Sequence, residues 1–292
     1  MLKRRPVSLA FTLIELLVVI AMIALLVAIL LPALARSRDL AYRTRELAAS
    51  HHLMVAYLAY ATDHDGYVLP GVLPADLVGG SPRAKYRVLD DRGQHMRGGA
   101  AQKYAWRIAP WLDYDLRALQ IDKALYREFI QRDDTPNLIS GRGSSYQEAF
   151  GTNTTFGINA RLVGGYKERP FEPAGSFVRR MDQVRHPDKL LVFGSARGRD
   201  LSLDFHRIVR GFNIINPPRD VTFNSSKPTD YDQPETLWDD PSTLQQFGYV
   251  HYRHQLRAVI GHFDGHAEAL RKKDLQDMRR WANEATGPDW AP

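Results

Sequence analysis

Not one of the 292 residues is a cysteine. That excludes a disulfide framework, a thiolate zinc site and a cysteine nucleophile. The Gly-x-Ser-x-Gly elbow, the His-Glu-x-x-His pair and the Gly-x-x-x-x-Gly-Lys loop are also missing, so no recognisable hydrolase, zincin or phosphate-binding motif points to an enzyme. With 10 histidines in the chain, scattered Ser, His and Asp residues carry no weight without a spacing that binds them together. Internal repeats and long low-complexity tracts are absent as well, and 44% apolar content in a chain of this length leaves room for one substantial globular domain. The first ten residues contain no acid, and their Lys3, Arg4 and Arg5 supply half of the formal net charge of +6. The remaining +3 gives no case for a specific nucleic-acid partner.

What is present begins with an apolar run. Residues 11–35 contain a single charge, Glu15, and their 25 positions exceed the roughly 20 needed to span a bilayer. A secretory signal has a shorter apolar region, of about 7–15 residues, and a small residue after it; here the small residue, Ala10, comes before the run. A carboxylate within a membrane helix costs at least about 2.5–3.5 kcal/mol, so Glu15 needs a partner and reads as functional. Apolar helices in lipid gain nothing hydrophobic from meeting one another, and a buried polar pair can supply their register.

The order of basic leader, small residue, Phe11-Thr12-Leu13-Ile14-Glu15 and apolar helix resembles the type IV pilin-like prepilins, which include pilus subunits and the pseudopilins of type II secretion. The resemblance implies a leader over residues 1–10, cleavage between Ala10 and Phe11 by a prepilin peptidase, and N-methylation of Phe11. Filament assembly would then use Glu15, paired with the amine of a neighbouring pilin-like subunit, and Pro32, where many members carry a helix-disrupting proline. The family usually has Gly before the cut, so Ala10 predicts slower processing. Lys and Arg flank the span on both sides almost equally, with Arg36, Arg38, Arg43 and Arg45 following it. The resemblance decides the orientation: leader in the cytoplasm, inner-membrane lipid around residues 11–35, and the body in the periplasm or extracytoplasmic space.

Beyond Pro32 the helical pattern continues. Leu40, Leu47, Met54 and Leu58, with Leu53 and Tyr57 beside them, form an apolar stripe, and Arg38, Arg43, Arg45 and Glu46 fall elsewhere around the wheel. Asp63-His64-Asp65-Gly66 should stop the helix near residue 62, with Gly66 as C-terminal cap. Pro32 should kink or loosen it. Residues 67–103 are rich in Gly and Pro and read as loop, residues 106–112 and 115–131 as helical or mixed. From Ser144 the pattern turns strand-like, at Ser145-Tyr146, at residues 155–159 and in the apolar run 189–194. Residues 197–246 read as a long loop insertion.

At the C-terminus, two strand-like segments flank Asp264-Gly265, the preferred dipeptide of a two-residue hairpin turn. His254 precedes Asp264 by ten positions. This His-x9-Asp-Gly spacing, together with Ser144 to Asn159 and Pro187 to Phe193, resembles a bacterial subfamily of prepilin-like proteins whose C-terminal motif would here be His254, Asp264 and Gly265. No reaction is implied by it. His262, Asp264 and His266 would share one face of a continuous strand and could ligate a metal. A turn at Asp264-Gly265 scatters them instead, so the histidines are read as structural, with no metal and no cofactor expected. Asp63-x-Asp65-Gly66 resembles the start of a calcium loop but lacks the later ligands.

These readings converge on an α+β, type IV pilin-like architecture. It has a leader over residues 1–10, an N-terminal helix over 11–62 with 11–35 transmembrane, and an exported domain over 63–292 with an antiparallel sheet closed by the C-terminal hairpin. The expected role is that of a structural subunit, not an enzyme: a pseudopilin or minor pilin of a secretion or pilus filament. The alternatives are a pilus subunit for adhesion or DNA uptake and a membrane-tethered periplasmic binding or carbohydrate-active protein.

Overall fold

The computed structural model describes residues 12–78, 85–96, 98–132, 144–165, 177–204, 206–218 and 248–290. The leader, including Ala10, and Phe11 itself lie outside them, as does the part of the 197–246 insertion from 219 onward. Two compact units divide the chain, residues 1–44 and 45–292.

In the first unit the described chain is the opening of α1, Leu13–Asp63. An 18-residue window of this helix reaches a mean hydropathy of 3.2 with none of it buried, so α1 is long and apolar enough to cross a membrane. The helix runs unbroken through Pro32. Leu40, expected on the apolar stripe, is 53% exposed.

The second unit is built around the end of α1. Leu53, Met54, Ala56, Tyr57, Tyr60 and Ala61 are buried there, a face repeating every three to four residues. The helix stops where Gly66, at φ +80°, donates its N–H to the Ala61 carbonyl at 2.8 Å, a Schellman-like closure. Short helices follow: α2 (Gly99–Gln102), α3 (Tyr104–Ile108), α4 (Leu116–Leu119) and α5 (Lys123–Ile130). The Gly- and Pro-rich segment before them is held by Arg107, buried on α3, whose guanidinium donates to the carbonyls of Pro70 at 2.7 Å and Gly71 at 2.9 Å.

One expectation is overturned at residues 145–146. They open helix α6 (Ser145–Thr152), not a strand. Ser144 caps it by accepting from the Gln147 N–H at 3.2 Å, and Tyr146, Ala149 and Phe150 then fall on one buried face at spacings of three and one. The strand signals further on hold: β1 is Phe156–Ile158 and β2 is Leu191–Ser195. Within the insertion, β3 (Gly198–Arg199) and β4 (Ile208–Val209) pair as a two-stranded ribbon. The C-terminal strands are β5 (Arg257–His262) and β6 (Ala267–Arg271), and a final turn of helix, α7, covers Lys272–Leu275.

Strands β1, β2, β5 and β6 form an antiparallel sheet in that order. Both of its faces are covered, which explains why β2 reads as a continuous apolar run. On one face Phe156, Ile158, Phe193 and Val259 pack with the end of α1 and the short helices. Ala258, Ile260 and Leu270 pack on the other, against Leu275, Met278 and Trp281 of the C-terminal segment. A register shift between Leu191 and Phe193 lets Val192 and Phe193 both join the first core.

Candidate functional site

Two residues of the C-terminal motif, His254 and Gly265, are tied to α1. His254 points Nε2 at Glu46 Oε2, 2.7 Å away, and Ser195 of β2 donates its hydroxyl to the other carboxylate oxygen. The Ser195 Oγ in turn accepts from the Val259 N–H at 2.8 Å. Arg253 lies 3.7 Å from Glu46 Oε1 and donates to the Ala196 carbonyl at 2.7 Å. All of this is sealed: Glu46 is 2% exposed, His254 4% and Ser195 0%. Burial pushes the Glu46 carboxyl up, but the Arg253 charge and the hydrogen bonds from His254 and Ser195 together outweigh it and hold the group below its ordinary value.

The sequence pattern sets Glu46 among the polar residues outside the apolar stripe; the structure buries it in the core. A signal existed in the sequence, because Glu46, Ser50, Leu53 and Tyr57 follow one another at spacings of four, three and four, so the carboxylate sits on the buried face itself. Although a serine, a histidine and a carboxylate meet here, they do not form a nucleophilic relay. In such a relay histidine contacts serine; here both donate to the carboxylate. The constellation is a structural lock.

The hairpin completes the docking. Gly265 has φ +96°, where a side chain is strained, and its carbonyl accepts from His51 Nδ1 of α1 at 2.7 Å. Gly261 faces α1 so closely that a Cβ there would lie 2.8 Å from Ser50 Oγ and 2.9 Å from Met54 Cγ. The loop itself differs from expectation. His262 and His266 stand opposite each other, with the His262 N–H bonded to the His266 carbonyl at 2.9 Å and the Gly265 N–H to the His262 carbonyl at 2.9 Å. Three residues, not two, therefore form the turn, with Gly265 as the left-handed closing residue.

That extra residue reverses a second expectation. A two-residue turn would scatter the histidines; the three-residue turn stacks two of them, His262 and His266. The rings of His262 and His266 lie 4.3 Å apart at 5°. His262 Nδ1 meets the Lys189 carbonyl at 3.1 Å, and His266 Nδ1 meets Asp264 Oδ1 at 2.6 Å. Glu268 Oε1 is 3.1 Å from His262 Nε2 and 3.2 Å from Arg280 Nη1.

In the first unit, at the start of α1, Glu15 belongs to a Thr-x-x-Glu capping box. Thr12 donates to Glu15 Oε2 from its backbone N–H at 2.9 Å and from its hydroxyl at 2.8 Å, and the Glu15 N–H returns to Thr12 Oγ1 at 3.2 Å. The carboxylate thus satisfies orphan donors at the start of α1.

Asp63 and Asp65 line a cleft of about 590 Å³ with Tyr60, Tyr67, Tyr86 and Phe177. Asp63 accepts from Trp111 Nε1 at 2.8 Å, and Asp65 has φ +54° in the turn that ends α1. No further acid joins the two in a calcium loop among the described residues lining the cleft.

Comparison with protein-family models, characterised proteins and solved structures finds no match.

Proposed function

We propose that this chain is a structural, pilin-like subunit, a pseudopilin or minor pilin, anchored in the inner membrane before it joins a filament. What supports the reading most is α1: a 51-residue helix whose apolar first part is unburied, preceded by the Ala10-Phe11 junction and opened by Thr12 and Glu15. An unburied apolar surface of this length requires lipid or neighbouring copies around it. The lock between Glu46 and His254 supports it further, since a buried carboxylate without solvent access is suited to holding a helix in place and not to turnover.

In this role the prepilin peptidase cuts after Ala10 and Phe11 becomes the methylated N-terminus. Glu15 first caps its own helix and then, in the assembly, meets the Phe11 amine of a neighbour. Intact-mass analysis of the protein from its native membrane should give a chain beginning at methylated Phe11. Retention of Met1, or a cut after Ala35, overturns the proposal. Glu15→Ala should still insert and be cut, but should be depleted from sheared filaments.

The aromatic cleft favours one second reading, a membrane-tethered binding protein for carbohydrate-like ligands, because Tyr60, Tyr67, Tyr86 and Phe177 offer flat apolar faces beside the carboxylates Asp63 and Asp65. Glycan-array binding lost on Tyr67→Ala, with Phe11-dependent filament incorporation absent, would select it.

A further inference from the structure

We propose that the C-terminal hairpin binds one divalent transition-metal ion of the zinc class, held by the imidazoles of His262 and His266 and the carboxylate of Glu268. One donor atom from each of the three lies within 4.8 Å of the others. That closeness follows from the three-residue turn: His262 ends β5, His266 stands opposite it, and Glu268 is two residues along β6 on the same face.

The hydrogen bonds around the histidines decide which nitrogen is available. A carbonyl and a carboxylate can only accept, so the contacts of Nδ1 with Lys189 O and Asp264 Oδ1 place the proton on Nδ1 in both rings. Each Nε2 is then left with its lone pair. Histidines that ligate metals are oriented in this way, with the far ring nitrogen donating to a carbonyl or carboxylate.

His262 supplies the independent observation. Its side chain is fully buried, and its Nε2 has no hydrogen-bond partner. Glu268 Oε1 lies 3.1 Å from it and also offers only a lone pair. Two acceptors facing each other at this distance, one of them fully buried, call for a cation between them. Arg280 Nη1, 3.2 Å from the same oxygen, neutralises part of the Glu268 charge but does not reach into the gap as a donor to His262. Arg280 is partly exposed and can keep to the outer side of the carboxylate.

Two imidazoles and one carboxylate suit zinc and its neighbours and not calcium or magnesium, which prefer all-oxygen shells. His266 and Glu268 are about two-fifths exposed, which leaves the outer coordination position to water. The parallel rings must tilt toward each other for both lone pairs to meet one ion, a motion the exposed His266 can make. The bound ion would staple β5 to β6 at the mouth of the hairpin, on the face of the sheet opposite to α1.

The test is titration of ZnCl2 into the metal-stripped full-length protein in detergent, read by calorimetry and by elemental analysis after dialysis. One zinc per chain is expected, with an accompanying rise in thermal midpoint. His266→Ala and Glu268→Gln, both partly exposed and expected to fold, should each weaken binding at least about tenfold and abolish the rise, and Asp264→Asn should weaken it roughly 10- to 100-fold through loss of ring orientation. No stoichiometric binding by the wild type overturns the proposal. So does zinc binding that His266→Ala leaves unchanged, which would place the ion on other histidines.

Discussion

Glu46→Ala is the most informative single change in this chain. The substitution removes the acceptor for His254 Nε2 and for the Ser195 hydroxyl, and it removes the carboxylate 3.7 Å from the buried Arg253. Breaking a buried pair by deleting one partner costs about 3–5 kcal/mol, because the remaining groups stay desolvated and unmatched. A domain of this size shifts its thermal midpoint by about 2–4 °C per kcal/mol, so the loss should lie in the range of about 6–20 °C. His254→Ala deletes one hydrogen bond to a charged group, worth about 1.5–3 kcal/mol, and leaves Glu46 to Ser195 and Arg253. Because both changes break the same contact, the double variant should cost less than the sum, with a coupling of about 0.5–3 kcal/mol. Thermal unfolding of the full-length chain in detergent, followed through the buried Trp106 and Trp281 by near-UV circular dichroism, measures all three. A loss below about 0.5 kcal/mol for Glu46→Ala, the level of an ordinary surface change, would falsify the lock.

Acid should act on the same carboxylate: its pKa in the fold is lowered from 4.5, so its stabilisation is fully present above that value and is lost as pH falls through the folded value. The midpoint gap between wild type and Glu46→Gln should therefore hold steady from neutrality to about pH 5 and close below it; a gap that widens on acidification contradicts the assignment. His251 is held well below 6.5, chiefly by burial and then by Arg253 and its neighbours, so it stays neutral in the fold while the unfolded chain takes up a proton, and stability should already decline as pH drops below 6.5. Gly261→Ala drives a methyl against Ser50 and Met54 and should cost about 1–3 kcal/mol, measurable as a lower midpoint. Gly265→Val should also destabilise, because of its φ of +96° and not through crowding, since the nearest atom to a Cβ there is Leu58 Cδ1 at 3.7 Å; equal tolerance of Val and Asn at 265 would refute the backbone argument.

The features legible from sequence were those set by local pattern. Apolar length marked the start of α1, Gly66 marked its end, and the run at 189–194 marked a strand covered on both faces. Features set by long-range pairing were not legible. The segment at 145–146 carried strand-like residues, and only the cap at Ser144 and the packing of Tyr146 and Phe150 decide for helix. Glu46 looked like a solvated charge because its partners, Ser195 and His254, lie 149 and 208 residues away in sequence. The stacked histidines were lost to a single residue in the turn: a two-residue loop would have altered their pairing across the hairpin, and the three-residue loop sets them face to face.

The position of a carboxylate inside an otherwise apolar interface also has consequences for register. An apolar helix face repeats every three to four residues, so α1 could slide by one turn along the sheet and still bury aliphatic and aromatic side chains. Slipping by three or four residues in one direction would offer Ala49 or Ser50 to His254 and Arg253; in the other it would offer Arg43 or Tyr42. None of these supplies an anion, and Arg43 would set like charges together. A single buried polar residue fixing the register of packed helices is the best-attested use of such groups. Moving the carboxylate by one turn, as Glu46→Ala with Ser50→Glu, therefore should not restore stability, whereas Glu46→Asp, which keeps the anion one methylene short, should recover more of it than Glu46→Gln. Equal rescue by the displaced carboxylate would mean that charge balance alone is needed and that α1 has no unique register against the sheet.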